Sequence, residues 1–316
     1  MSGMPLVWLR RLPLLVVCSV AACPVTGCTQ AGGGHAPGPA RAAAAPTTRT
    51  PPRARPAPVM TEPISAVPAM VGGPAHLAGQ LSTAETLLGA GAGSPADLAG
   101  QALIVQLACL RIAAHPRWAD LVTALVAPAQ RAAAAADIAA TADLVALTPP
   151  GARLPPWRII TAENPVTLRA DYQAAQAATG VRWPYLAAIN FVETDFGRIA
   201  GPSSAGAQGP MQFLPATWAI YGHGDIHHAR NAILAAGRLL ADHGAARDIG
   251  SALYAYNPSW RYVDAVLRYA GRLRHDPHAL IGYYSHQVIY RLGRGWVLLP
   301  SGYGINPAVR AIPLRL

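Results

Sequence analysis

The 316-residue chain contains no lysine: all 25 basic side chains are arginine, and against 15 acids they give a formal net charge of +10. Together with the abundant Ala, Gly and Pro, this reads as the bias of a GC-rich genome. The sign of the charge still favours anionic partners such as cell-wall polymers, lipid headgroups or nucleic acid. Cysteine is nearly absent from the body of the chain. Cys18, Cys23 and Cys28 lie at the start, leaving Cys109 alone, which excludes an internal disulfide framework. In Leu-Ala-Cys-Leu, Cys109 reads as a small buried apolar residue. Glutamate occurs only at Glu62, Glu85, Glu163 and Glu193. Alternating strand patterns are scarce before residue 288. The length suits one domain of about 100–200 residues with appendages.

The first segment has the layout of an export signal. Arg10 and Arg11 precede an apolar run, Leu12 to Ala22, that is too short to span a bilayer. Val20-Ala21-Ala22-Cys23 and Val25-Thr26-Gly27-Cys28 both resemble a bacterial lipobox. Cys28 is favoured as the lipidated residue because polar Thr29, Gln30 and a glycine run follow it, with Cys23 the alternative; a signal cleaved without lipidation also fits. Residues 1–28 are thus expected to be a signal peptide with lipobox. One lipid chain anchors only marginally, and Arg41, Arg49, Arg53 and Arg55 would add attraction to the outer face of the cytoplasmic membrane.

Residues 29–75 are rich in Pro, Gly and Ala without apolar periodicity. They cannot bury enough surface to offset ordering entropy, so a disordered tether is expected. From 76 to 150 the pattern becomes helical: Leu98, Ala102, Val105, Cys109 and Ile112 recur three or four apart behind a cap at Asp97, and a further helix is expected around 129–147. Prolines 149, 150, 155 and 156 mark a boundary. Short helices then crowd the region 157–275. Thr167 is expected to cap one that Gly180 ends. Pro184 opens the next and Gly197 closes it; Pro215 and Gly222 bound another. Helices at about 228–243 and 248–256 precede one capped by Ser259 that carries Tyr262, Val263, Val266 and Tyr269 on one side. In the extension 276–316, Gly293-Arg294-Gly295 between apolar runs is able to turn a small hairpin.

The segment Tyr185 to Gly197 is almost wholly apolar, so it must be buried, yet it places Glu193 in its last turn on the face of Ile189 and Asn190. Apolar neighbours oppose ionisation and raise a carboxyl pKa, as a general acid for glycoside cleavage requires. A solvent-facing carboxylate at a helix end is the plainer alternative. After a short loop comes Ser203-Ser-Ala-Gly-Ala-Gln-Gly-Pro-Met211-Gln212-Phe213, where Met211 and Gln212 offer a soft apolar surface beside an amide. Ala255-Tyr256-Asn257 follows at an interhelical corner, with Tyr262 one turn beyond; tyrosine supplies a flat face and a hydroxyl. No metal or cofactor is implied, since His223, His227 and His228 near Asp225 lack the spacing of a closed site.

In this order, Glu193-Thr194, Gly206-Ala-Gln-Gly-Pro-Met-Gln212-Phe and Ala-Tyr256-Asn257 resemble the transglycosylase domain of bacterial lytic murein transglycosylases, the actinobacterial lipoprotein branch above all, and are similar to goose-type lysozyme. The resemblance covers about 157–275. It implies an all-α, lysozyme-like domain with a helical N-terminal extension. The implied activity cuts the β-1,4 bond between N-acetylmuramic acid and N-acetylglucosamine in peptidoglycan glycan strands and leaves a 1,6-anhydro product. Glu193 would be the catalytic acid/base. Met211 and Gln212 would line the cleft, Tyr256 and Asn257 would face Glu193, Tyr262 would help bind an acetamido group, and Ser203 matches a family serine. One carboxylate suffices where the substrate supplies its own nucleophile, whereas ordinary glycosidases use two. Asp195, two residues on, is about 200° round the helix and points away; Asp225, Asp248 and Asp264 stay open as neighbours. Pro258 and Ser259 depart from the family's usual Ala-Tyr-Asn-x-Gly corner. A hydrolytic muramidase and a non-catalytic wall-binding protein remain alternatives. No motif supports nucleic-acid binding, and export argues against it. Tyr283, Tyr284, Tyr290 and Trp296 are expected to pack on the domain.

Overall fold

The computed structural model describes residues 67, 68, 70 and 72–316. The signal, both lipobox cysteines and most of the expected tether lie outside the described residues. The tether's expected end at 75 is too late. Met70 is 2% exposed, its carbonyl accepts from Arg111, and the first helix begins at Pro74.

Four helices come first: α1 (Pro74–Ala90), α2 (Pro95–Ala114), α3 (Ala119–Leu125) and α4 (Arg131–Leu147). The cap of α2 is Ser94 rather than Asp97. Ser94 Oγ accepts from the Asp97 N–H at 3.2 Å, while Asp97 Oδ2 accepts from the Ser94 N–H at 3.0 Å. This reciprocal box places the helix start three residues earlier than Asp97 alone would. By length and composition α2 could cross a bilayer, but it buries Leu103, Leu107 and Ile112 in an apolar cluster with Leu77 and Leu81 of α1 and Ile138 of α4. Cys109 is buried in the same cluster as a free thiol.

The second group is α5 (Pro165–Thr179), α6 (Trp183–Thr194), α7 (Pro215–Tyr221), α8 (Ala229–Asp242), α9 (Ile249–Tyr256), α10 (Trp260–His275) and α11 (Ala279–Tyr284). Asn164, not Thr167, caps α5: its side chain accepts from the Val166 N–H at 2.9 Å, and Pro165 takes the first helical position. Gly180 closes α5 with φ +75°. Ser259 stands at the N-cap of α10, though its side chain makes no capping bond. α6 is the central element. Leu186, Ala187, Ala188 and Ile189 are all 0% exposed, and burying each large aliphatic side chain is worth about 1.5–3 kcal/mol.

Two short strands, β1 (Arg158–Ile159) and β2 (Ile199–Ala200), pair antiparallel. The expected hairpin is present as β3 (Ile289–Leu292) and β4 (Gly295–Leu298), and a third strand, β5 (Ile312–Leu314), adds to β4. Pro313 is tolerated because β5 is an edge.

The protein is predominantly helical. α10 joins its two halves, packing on α4 and on α6. Arg272 of α10 bonds Glu85 of α1 at 2.9 Å and also Asp137 of α4, which takes a further 2.7 Å bond from the Tyr283 hydroxyl. A buried network of this kind is stable only while every charge has its partner. The tail aromatics serve packing, with Tyr283 stacked on Phe191 at 4.9 Å between ring centroids.

Candidate active site

α6 ends abruptly, and the termination builds the site. Asp195, Phe196 and Gly197 adopt left-handed φ values of 52°, 61° and 86° in succession. Gly197 was the expected terminator, but the helix already ends at Asp195. Two non-glycine residues in this region cost about 1–3 kcal/mol each. What holds them is the Phe196 N–H returning to the Asn190 carbonyl at 3.1 Å, burial of the Phe196 ring, and the Gly197 N–H donating to Thr194 Oγ1 at 3.0 Å.

The following segment folds back onto α6. Gln208 and Phe213 exchange backbone bonds of 2.8 and 2.9 Å around the four residues Gly209 to Gln212. The Pro210 carbonyl accepts from Asn190 Nδ2 at 2.8 Å and from the Thr194 hydroxyl at 2.6 Å. These donors stand four apart on one face of α6, so the helix grips the turn with two successive rungs. Tyr172 of α5 donates to Asn190 Oδ1 at 2.6 Å and fixes its orientation. Gln212 itself has φ +48°. Strained backbone thus occurs on both sides of this contact, as it does where function over-determines geometry.

Glu193 is 2% exposed, and its Oε1 accepts a 2.7 Å bond from the Tyr262 hydroxyl of α10. Loss of water contact pushes its pKa up to about 8, against a smaller lowering by that hydrogen bond. Among the described residues no charged group shifts it. The neighbouring Asp195 lies on another side, ion-paired with Arg198 at 3.2 Å; burial raises its pKa to about 6 while Arg198 opposes the rise. Asp248 caps α9 through Gly250 and Ser251, Asp225 accepts from the His227 N–H, and Asp264 is exposed on α10. None of these three acts on Glu193.

Several expected roles are redistributed. Tyr262, not Tyr256, partners Glu193. Tyr256 is fully buried and donates to the Met211 carbonyl at 2.5 Å, so it anchors the turn. Met211 is 0% exposed in the core and lines no cleft in this conformation. Gln212 is 2% exposed, with its amide nitrogen donating to the Gly209 carbonyl at 2.8 Å. Asn257 is buried at the C-cap of α9, and its carbonyl accepts from the Ser259 N–H at 2.7 Å. Ser203 Oγ accepts from the Ala205 and Ala207 N–H groups at 3.2 and 3.0 Å, shaping the loop. The tethering roles of Tyr172, Asn190 and Thr194 were not anticipated. Polar residues four apart inside an apolar helix were the available signal for the last two.

The arrangement therefore offers one carboxyl that is protonated at neutral pH and steadied by a tyrosine hydroxyl. It also offers a turn locked by side-chain donors from Asn190, Thr194 and Tyr256 and by the backbone pair Gln208–Phe213. Comparison with protein-family models, with characterised proteins and with solved structures returned no match.

Proposed function

We propose that this chain is a peptidoglycan lytic transglycosylase with a lysozyme-like α-domain. Export and a lipid anchor at Cys28, or alternatively Cys23, would hold it at the outer face of the cytoplasmic membrane. The observation that carries the reading is Glu193: buried, with burial pushing its pKa up, and shifted by no second acid among the described residues.

In the proposed reaction Glu193 gives its proton to the glycosidic oxygen leaving from muramoyl C1. Tyr262 donates to the resulting carboxylate. Glu193 then takes the proton of the muramoyl 6-hydroxyl as O6 bonds to C1, which closes the 1,6-anhydro ring and regenerates the acid. No external nucleophile is needed, consistent with the single carboxyl. Because Glu193 is covered and its Oε1 is engaged by the Tyr262 hydroxyl, the glycan must displace covering residues to reach it.

The same covering favours a second reading, a wall-binding protein that retains the fold without turnover. Incubation with purified sacculi followed by mass spectrometry separates the possibilities. Anhydromuramoyl ends from wild type and none from Glu193→Gln are expected. Reducing ends only would assign a hydrolytic muramidase, and binding without soluble products would assign the non-catalytic reading.

A further inference from the structure

On another side of α6 from Glu193 lies a cavity of about 160 Å³ bounded by α2, α4, α6, α10 and β3. Its walls are mostly apolar, with Leu144 and Val145 from α4 and Phe191 and Val192 from α6. Phe191 keeps partial exposure although it sits mid-helix in the core, because its ring borders this space. The half-exposed Val145, Thr148, Tyr290 and Arg291 mark the mouth, where Arg291 Nη1 donates to the Thr148 carbonyl at 3.3 Å.

One polar group in the wall is unsatisfied. Asp195 is 8% exposed, and neither carboxylate oxygen receives a hydrogen bond of good geometry despite the ion pair with Arg198. Arg198 Nη1 meets Oδ1 at 3.2 Å but off the axis of a good hydrogen bond, so the buried carboxylate is compensated in charge more than in hydrogen bonding. Arg198 already balances its charge, so a second cation would bring a desolvation penalty without a matching gain. What the carboxylate lacks is a neutral donor. Buried His286, which also lines the cavity, keeps its imidazole uncharged, since burial and the positive charges of Arg198 and Arg272 drive its pKa down to about 3. An apolar cavity of about 150 Å³ accommodates a benzene ring.

From the cavity and the orphaned carboxylate we infer a binding site for a neutral amphiphile, a ring or short alkyl body bearing one hydroxyl or amide N–H that donates to Asp195. The site is independent of any role for Glu193. Phe191 and Val192 are on the same helix as Glu193 and Asp195 is its C-cap, so an occupant stiffens the end of α6 from behind.

The test uses 4-fluorophenol and 4-fluorotoluene as probes, titrated against the intact protein and followed by ligand-observed ¹⁹F NMR. Saturable binding of the phenol is expected, about tenfold or more tighter than the toluene, as a hydrogen bond to a charged group gives. Leu144→Trp, filling the cavity, abolishes phenol binding. Val145→Trp at the half-exposed mouth does the same without disturbing the core and decides the matter if the first variant does not fold. Asp195→Asn, which suits the left-handed backbone, shrinks the preference for phenol over toluene. Absence of saturable phenol binding to wild type overturns the inference. So does binding unchanged by a folded cavity-filling variant, or equal affinity for the two probes.

Discussion

Glu193 makes stability depend on pH in a way that a single substitution isolates. Its carboxyl has an ordinary pKa of 4.5 and one near 8 in the folded protein. Between those values the folded state binds the proton more tightly than the unfolded chain. The contribution is therefore fully present below pH 4.5 and is lost as pH rises through 8. At about 1.36 kcal/mol per unit, the loss is about 3 kcal/mol at pH 7 and approaches about 5 kcal/mol above pH 8. Glu193→Gln abolishes this titration while keeping a carbonyl for the Tyr262 hydroxyl. Its amide adds a pH-independent offset, which drops out when the two proteins are compared at two pH values. The difference in stability between variant and wild type should thus grow in favour of the variant by about 3 kcal/mol from pH 4.5 to 7. For a folded region of this size that corresponds to about 6–12 °C in Tm. Differential scanning calorimetry across that range is the assay. The comparison cancels other buried acids, Glu85 and Asp195 among them. A difference that stays constant with pH would falsify the burial argument, because it means Glu193 ionises as an exposed carboxylate does.

Three further outcomes are expected. Tyr262→Phe removes the hydroxyl that donates to Glu193, so the carboxyl pKa climbs further; the alkaline limb of wall solubilisation should move to higher pH and its rate should fall about tenfold or more. An unmoved limb argues against Glu193 as the acid. Gly209→Ala meets both a φ of +73° and a Cβ position 2.1 Å from the Ile226 carbonyl oxygen; a loss of at least about 2 kcal/mol in urea unfolding is expected. Arg272→Met leaves Glu85 and Asp137 buried without their cation. The cost is about 3–5 kcal/mol at pH 8 and smaller at pH 5, where Glu85, whose pKa burial and Asp137 push to about 7, is protonated; equal losses at both pH values argue against the network.

Local order was legible from residues. Proline at the first turn opened α7 and Gly180 closed α5 through their own φ, whereas Gly222 ends α7 at an ordinary φ of −83°, where a Cβ would meet the Trp218 ring. The apolar face of α6 implied a buried Glu193 for the same reason, since helical spacing is a local property. Caps were harder. Ser94 and Asp97 are both able to open α2, and Asn164 and Thr167 both lie near the start of α5; the choice depends on which backbone N–H each side chain meets.

What the sequence determined by itself was the helical order, the punctuation between helices and one acid placed among apolar residues. Which tyrosine meets that acid was decided by the corner between α9 and α10. Tyr256 and Tyr262 are six residues apart on different helices, and only the packing of α10 against α6 turns one hydroxyl to Glu193 and leaves the other on the Met211 carbonyl. The burial of Met211 and Gln212 was likewise tertiary, because Asn190 and Thr194 draw the turn inward. Asp195 repeats the point: its position on the helix told only that it faced away from Glu193. The cavity it faces exists because α2, α4 and β3, far from it in sequence, close around the opposite side of α6.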